Sequence, residues 1–313
     1  MRPIFCIPIA APLLLAGCAT TFHAGAPKGA VDVIAHRGAS AYAPENTLAS
    51  FRKAIELQAD WFELDVRLTK DKQLIVMHNA DVDKTTNGHG NIADLTLVEL
   101  KTLDAGSWFD PKFAGEPLAT LGEALDLAKD RVGVYVEVKN CTNERAFIAK
   151  LLPLCHGKER ITSRVRKDMM KMIEDSGTPN LTLTRKVIEA VRERKMQHQV
   201  VIQSFSPVIV FIALSEAPDI RTEFLGLQDK DDPEQWPAFL WFGQLVRAAG
   251  ANVNSPSLTQ ALLKDFHEQG RSVAVWTIDE EADIRRLAEW GVDALITNKP
   301  DSTLQTLKAM GKH

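Results

Sequence analysis

The sequence lacks the marks of several large protein classes. There is no excess of positive charge: 313 residues carry a formal net charge of −4, so nothing draws the whole chain to nucleic acid or an anionic surface. No apolar run reaches the roughly 18–20 residues of a membrane span, and the longest, over 4–16, is interrupted by Pro8 and Pro12. With 18 Gly, 15 Pro, 45% apolar and 25% charged residues, the chain is neither collagen-like nor disordered nor a coiled coil. The four cysteines show no Cys/His spacing of a zinc site. No glycine-rich dinucleotide loop follows the first apolar run, which weighs against a doubly wound open sheet. Internal repeats and low-complexity tracts are also missing.

What is present begins with an address. Segment 1–17 has a basic start at Arg2, an apolar middle from Ile4 to Leu15, and small residues at its end. That is the layout of an export signal. Leu15-Ala16-Gly17-Cys18 matches a bacterial lipobox, which predicts cleavage after Gly17 and lipidation of Cys18. A plain secretory peptide is the alternative; Pro3, Pro8 and Pro12 argue against a buried helix. The expected mature protein is exported and lipid-anchored to the bacterial cell envelope, facing the periplasm, with 18–30 as a tether. Acyl chains gain about 0.8 kcal/mol per buried CH₂, enough for stable membrane attachment when more than one is present. Of the remaining thiols, Cys141 and Cys155 would sit in an oxidising compartment. We expect them to pair, closing a loop worth about 3 kcal/mol; two free thiols are the alternative.

From residue 31 to 313, short β-branched or apolar runs alternate with amphipathic stretches. Strands are predicted at 31–36, 62–65, 132–138, 200–204, 223–227, 251–254, 272–276 and 294–297. Helical periodicity is clear over 46–59, with Asn46 as N-cap, and over 183–197 and 279–290. Such alternation predicts a parallel sheet covered by helices. Eight units in this length fit a closed (β/α)₈ TIM barrel. A further short strand at 73–77 reads as a hairpin partner. The turn-rich 79–115, with two short helical stretches, is too long for a plain loop and reads as a small insertion after the second barrel strand, over the barrel mouth.

The chemistry gathers at strand ends. Glu63 and Asp65 stand two apart on a strand, so both face the same side, which in a barrel is the interior. Carboxylates crowded there need a cation, a shared proton or a charged partner. Glu137 and Lys139 repeat the pattern on the next strand. Three oxygen donors suit a divalent metal of the Ca²⁺ or Mg²⁺ kind. His36, followed by Arg37, and His78 close apolar runs, where a barrel places its catalytic rim. A cation, Arg, Lys and two imidazoles suit an anion, a phosphodiester best of all, although a metal-dependent sugar or enolate isomerase would share many of these parts.

Read in order, the chain resembles the glycerophosphodiester phosphodiesterase family. The likeness runs through His36-Arg37-Gly38, Pro44-Glu45-Asn46-Thr47, Glu63-Leu64-Asp65-Val66, Val76-Met77-His78, Lys84-Thr85-Thr86-Asn87-Gly88, Gly106-Ser107-Trp108-Phe109, Thr120-Leu121-Gly122-Glu123 and Val136-Glu137-Val138-Lys139. Weaker echoes are Gln203-Ser204-Phe205, Val275-Trp276-Thr277 and Ile296-Thr297-Asn298-Lys299-Pro300. Residues 140–199 carry no matching motif.

The resemblance implies a barrel that hydrolyses glycerophosphodiesters to glycerol 3-phosphate and an alcohol. It implies a divalent metal on Glu63, Asp65 and Glu137 and an acid/base pair at His36 and His78. Arg37 would bind phosphate, Glu45 and Lys139 would complete the charge network, and the 79–115 insertion would shape the glycerol pocket. Trp108 and Trp276 are candidate substrate contacts, with packing as their other reading. Some positions depart from the pattern. Asn79 stands where Asp usually follows the second His, Asp279 where Asn is common and Asn298 where Asp is common. Gln58 and Lys72 replace turn glycines. Two rival functions remain: a lysophospholipid-cleaving phosphodiesterase using the same centre, with the aromatic group Trp236, Phe239, Trp241 and Phe242 at its entrance, and a non-catalytic phosphodiester-binding lipoprotein.

Overall fold

A computed structural model describes residues 29–313. The signal segment 1–17, Cys18 and the tether up to residue 28 lie outside the described residues.

Among the described residues nine strands form: β1 (Asp32–Ala35), β2 (Trp61–Leu68), β3 (Leu74–Val76), β4 (Gly133–Val138), β5 (Val200–Ser204), β6 (Arg221–Gly226), β7 (Gly250–Asn254), β8 (Ser272–Trp276) and β9 (Ala294–Thr297). Eight of them pair in parallel in the order β1-β9-β8-β7-β6-β5-β4-β2, and β2 returns to β1 to close the cylinder. This is the expected TIM barrel. Closure rests on a short contact, Ile34 opposite Trp61 and Ala35 opposite Phe62. Beyond it the same edge of β2 is taken by β3, antiparallel, with Val66 opposite Val76.

The helices are α1 (Leu48–Glu56), α2 (Leu97–Leu100), α3 (Leu121–Ala128), α4 (Arg145–Cys155), α5 (Ser163–Ser176), α6 (Pro179–Glu193), α7 (Pro207–Glu216), α8 (Gln235–Val246), α9 (Gln260–Glu268), α10 (Glu281–Trp290) and α11 (Pro300–Ala309). Strand alternation divides the core in two. Phe62, Leu64 and Val66 point outward into a layer shared with Phe51 and Ala54 of α1 and with α3 and α6. Phe51 stacks on Phe62 with ring centroids 4.5 Å apart. Inside the barrel, Ile34, Trp61, Tyr135, Val201, Ala274 and Ile296 form an apolar floor. Along β2 the inward positions after Trp61 are Glu63 and Asp65, so the acids lie above that floor, toward the mouth.

Several details differ from expectation. Thr47, not Asn46, caps α1: its hydroxyl accepts from the Ser50 N–H. Asn46 has φ +60° and spends its side chain elsewhere. Gln58 and Lys72 hold φ +62° and +58°, the left-handed region in which glycine is the easier residue. The insertion carries three short helical turns, Ile92–Asp94, α2 and Pro111–Phe113, over its own apolar core of Ile75, Met77, Val82, Ile92 and Leu100. Between β4 and β5 stand three helices where a barrel needs one.

The disulfide does not form. Cys141 and Cys155 are free, the first exposed and the second buried. Cys155 is the last of the 11 residues of α4, a helix about 15 Å long at 1.5 Å per residue, while Cys141 is held near its first end through Asn180, which also bonds Glu144. Cys155 instead packs its sulfur on Met169 Sδ at 3.4 Å.

Because Phe51 backs the strand that carries two of the three acids, Phe51→Ala should destabilise the protein by about 3–5 kcal/mol. Urea unfolding measures this; a loss below 1 kcal/mol would mean that α1 does not support β2.

Candidate active site

The three acids converge as the strand pattern requires. Glu63 and Asp65 point inward from β2, and Glu137 of β4 stands in register with Asp65. All three are buried, and one oxygen from each lies within 4.8 Å of the others. Lys139 follows β4 on the same side. Its Nζ is 2.6 Å from Glu137 Oε1 and 3.3 Å from Asp65 Oδ1.

Arg37 enters from the turn after β1. The turn is tight: Arg37 has φ +55° and Gly38 φ +79°. A Cβ on Gly38 would lie 2.4 Å from Ser50 Oγ, so only glycine fits there without displacing α1. In this turn the Arg37 N–H donates to Glu63 Oε2 at 2.9 Å. The guanidinium Nη1 donates to Glu45 Oε1 at 2.9 Å, and Nε stands 3.5 Å from Asp65 Oδ2. Asn46 completes the frame. Its Nδ2 donates to Asp65 Oδ2 at 2.8 Å, and its Oδ1 accepts from the Asp65 N–H at 3.1 Å. A left-handed Asn46 is what allows both bonds.

Charge is shared unequally. Burial alone would raise Asp65, but Lys139 and Arg37 outweigh it and hold the carboxyl well below its ordinary range. Glu63 is pushed far up by burial and by Asp65 and Glu137. Burial and Asp65 push Glu137 up to about 7, against the pull of Lys139. Two of the three acids therefore hold protons easily, and Asp65 Oδ1 makes no hydrogen bond despite its burial. A divalent cation would resolve all of this, and the donors are all oxygens, as hard cations prefer. The residues fit such an ion.

His36 and His78 are each anchored by Nδ1. His36 Nδ1 meets Asn298 Oδ1 at 2.8 Å, and Ser40 Oγ donates to the same oxygen at 2.8 Å. Asn298 cannot flip without loss, because its Nδ2 and N–H donate to the two oxygens of Asp279 at 2.6 and 2.7 Å. His78 Nδ1 meets Asn79 Oδ1 at 3.0 Å, while Arg67 donates twice to the His78 carbonyl. An amide oxygen only accepts, so with Asn298 held by Asp279 the His36 imidazole carries its proton on Nδ1 and presents Nε2 as a base. Both pKa values are lowered, chiefly by burial. Arg37 adds to this at His36, and Lys139 and Arg37 add to it at His78.

The sequence pattern thus anticipates the grouping of Glu63, Asp65, Glu137, Arg37, Lys139 and Glu45, and the structure places His36 and His78 among the groups acting on them. Trp276 ends β8, packed against the barrel floor. Trp108 is 41% exposed on the insertion, bonded to Ala105 O and edge-on to Phe109, so its contacts are those of local packing. Asn46 was missed because Asn before a helix reads as a cap. Asn79, Asn298 and Asp279 stood out only as departures from a pattern, and their bonds to the imidazoles and to one another come from the fold.

Residues 36–302 match the glycerophosphoryl diester phosphodiesterase family. A glycerophosphodiester phosphodiesterase of Caldanaerobacter subterraneus subsp. tengcongensis is 32% identical over 281 residues, covering 89% of this chain and 98% of the relative. The crystal structure of a glycerophosphodiester phosphodiesterase from Agrobacterium tumefaciens superimposes with a TM-score of 0.65 at 27% identity, over 88% of this chain and 99% of that one. A phosphodiesterase from Oleispira antarctica, solved with the product sn-glycerol-3-phosphate, gives 0.68 at 24% identity, covering 89% and 97%.

A cation entering this cluster must displace protons from Glu63 and Glu137, so its affinity should rise with pH. Calorimetry with Ca²⁺ and Mg²⁺ should show binding roughly tenfold tighter at pH 8 than at pH 6. In Glu137→Gln it should be weaker and should depend less on pH. Wild-type affinity equal at both pH values would contradict the assignment of Glu137.

Proposed function

Since the chain belongs to the glycerophosphoryl diester phosphodiesterase family, we propose that it hydrolyses glycerophosphodiesters to glycerol 3-phosphate and an alcohol, with the β2–β4 acids as metal site and His36 and His78 as acid and base. The observation that carries this reading is the convergence of three buried acids, two cationic side chains and two imidazoles at one barrel mouth. Ca²⁺ or Mg²⁺ held by Glu63, Asp65 and Glu137 would supply Lewis-acid polarisation of the phosphoryl group.

The chain's own residues account for the rest. Arg37 and Lys139 bind the phosphate oxygens. Glu45 holds the guanidinium in place. One imidazole takes the proton of the attacking hydroxyl at Nε2, and the other gives a proton to the leaving alkoxide. Low resting pKa values keep both neutral, and the arriving negative charge of the phosphodiester favours protonation of the one nearer the leaving oxygen. A purely binding protein would have no use for two imidazoles held by separate amides beside a buried acid cluster.

We also propose attachment to the cell envelope through lipidated Cys18, supported by the order Leu15-Ala16-Gly17-Cys18 after an apolar stretch.

Glycerophosphocholine and glycerophosphoethanolamine should release glycerol 3-phosphate, and EDTA should abolish the release; full turnover in EDTA would remove the metal from the reaction. The His36→Ala change should lower kcat by at least about 10², and an unchanged rate would exclude His36. In whole cells, Cys18→Ser should move the protein from the membrane fraction to the soluble one, whereas unaltered fractionation would rule out the anchor.

A further inference from the structure

Arg67 extends the inward side of β2 one step beyond the acids. Trp61, Glu63 and Asp65 alternate with Phe62, Leu64 and Val66, which join the outer layer, as does Leu68. By the same period Arg67 stands above Asp65, toward the mouth. It is a cation beside Arg37 and Lys139, and unlike them it forms no ion pair among the described residues. Burial lowers its pKa against the pull of Asp65. A guanidinium withdrawn from water is costly unless its N–H groups are met. Two of its nitrogens meet one acceptor: Nε and Nη2 donate at 3.0 and 2.5 Å, both to the main-chain carbonyl of His78.

The two imidazoles hang on the fold in different ways. His36 follows β1 directly, and its N–H donates to Thr297 O of β9 at 2.8 Å, so it continues the barrel's own ladder. His78 lies between two separately bonded stretches. Before it, the Met77 N–H donates to Asp65 O at 2.9 Å, just past the pairing of β3 with β2. After it, the next main-chain bonds lie inside the insertion, where Ala80 O accepts from the Ile92 N–H and the Val82 N–H donates to Gly90 O. Among the described residues the His78 main chain makes no hydrogen bond except those from Arg67. Its ring is tied to Asn79 at 3.0 Å, the next residue, so that bond travels with the loop. Arg67 is the one hydrogen-bonded tie between the His78 main chain and the strand that carries Glu63 and Asp65.

We infer that Arg67 is the positioning residue of His78: by gripping the carbonyl of the residue that bears the imidazole, it fixes where that imidazole stands relative to the acids on β2. The inference rests on the phosphodiesterase reading above, in which His78 is one member of the acid/base pair. Arg67 acts here through His78 and not on the phosphate. A guanidinium suits the task because its rigid fork sets two N–H groups on one oxygen, whereas a lysine would offer a single mobile ammonium. The placement matters because a misplacement of about 1 Å at a proton-transfer group costs about 10² in rate.

The test is a double-mutant cycle on the release of glycerol 3-phosphate from glycerophosphocholine. Arg67→Met should lower kcat by about 10² and leave KM within about threefold, and Arg67→Lys should fall between it and the wild type. In the His78→Ala background, Arg67→Met should lower the rate by no more than about twofold, because a residue that acts through His78 then has nothing to act on. An unchanged kcat in Arg67→Met overturns the inference. So does a further loss of about 10² in the double variant, and so does an effect confined to KM, which would make Arg67 a phosphate-binding cation. If Arg67→Met does not fold, the cycle is read with Arg67→Lys: a loss of kcat that vanishes without His78 supports the tie, and no loss, or a loss that persists, overturns it. If the wild type turns over nothing, the phosphodiesterase reading fails by itself. A crystal structure of Arg67→Met then reads the tie alone: His78 displaced by about 1 Å or more, with Glu63 and Asp65 in place, supports it, and an unmoved His78 overturns it.

Discussion

Three carboxyl groups are held within a few ångströms of one another in a buried mouth, with Lys139 and Arg37 as the cationic side chains that pair with them. Lys139 and Arg37 both hold Asp65 down: Lys139 Nζ stands 3.3 Å from one oxygen and Arg37 Nε 3.5 Å from the other, which also accepts from Asn46. Glu63 and Glu137 are left with raised pKa values. Buried like charges repel strongly, so the native protein carries a built-in demand for positive charge at one point. The barrel meets the mechanical side of that demand. Parallel β2 and β4 fix Asp65 beside Glu137, the apolar floor prevents retreat downward, and Phe51 stacked on Phe62 stiffens β2 from outside.

The same logic explains why the imidazoles are anchored by amides. A carboxylate against Nδ1 would add negative charge to a site already crowded with it, and would raise the histidine pKa. Neutral Asn79 and Asn298 hold the rings without that charge. Asp279 is still used, one residue removed, where it orients Asn298 rather than touching His36. The exchange of Asp and Asn between 279 and 298 relative to the family pattern thus keeps a hydrogen-bonded chain and changes only which member faces the imidazole.

Much of this was legible in the sequence, and the parts that were not have physical reasons. Period-two placement of Glu63 and Asp65 on an apolar run forces both to one face, so the acid pair could be read before any fold was known. Strands 200–204, 272–276 and 294–297 were legible because apolar runs there are bounded by turn residues. The N-cap at Asn46 was misread because capping and bidentate clamping use the same side-chain atoms, and only the tertiary position of Asp65 decides between them. The Cys141–Cys155 pair failed because spacing along a chain says nothing about distance once a helix lies between. A cavity lined by α4, α5, α7, α8 and β6 was hidden because five separate elements build its walls. Only the aromatic richness of 236–242 hinted at it.

The insertion and the extra helices add to one barrel end without altering the catalytic frame. The insertion is built on its own small core, with Ile75 and Met77 at its base, and α4 and α5 pack against α7 and α8 rather than between strands. The charge cluster is therefore the part on which the functional account stands. Its most direct test is anomalous scattering from crystals of the protein grown with Mn²⁺, a stand-in for the lighter divalent ions. The account predicts a single strong peak ligated by Glu63, Asp65 and Glu137. A fully soaked crystal without a peak there, or with its peak elsewhere, would contradict it.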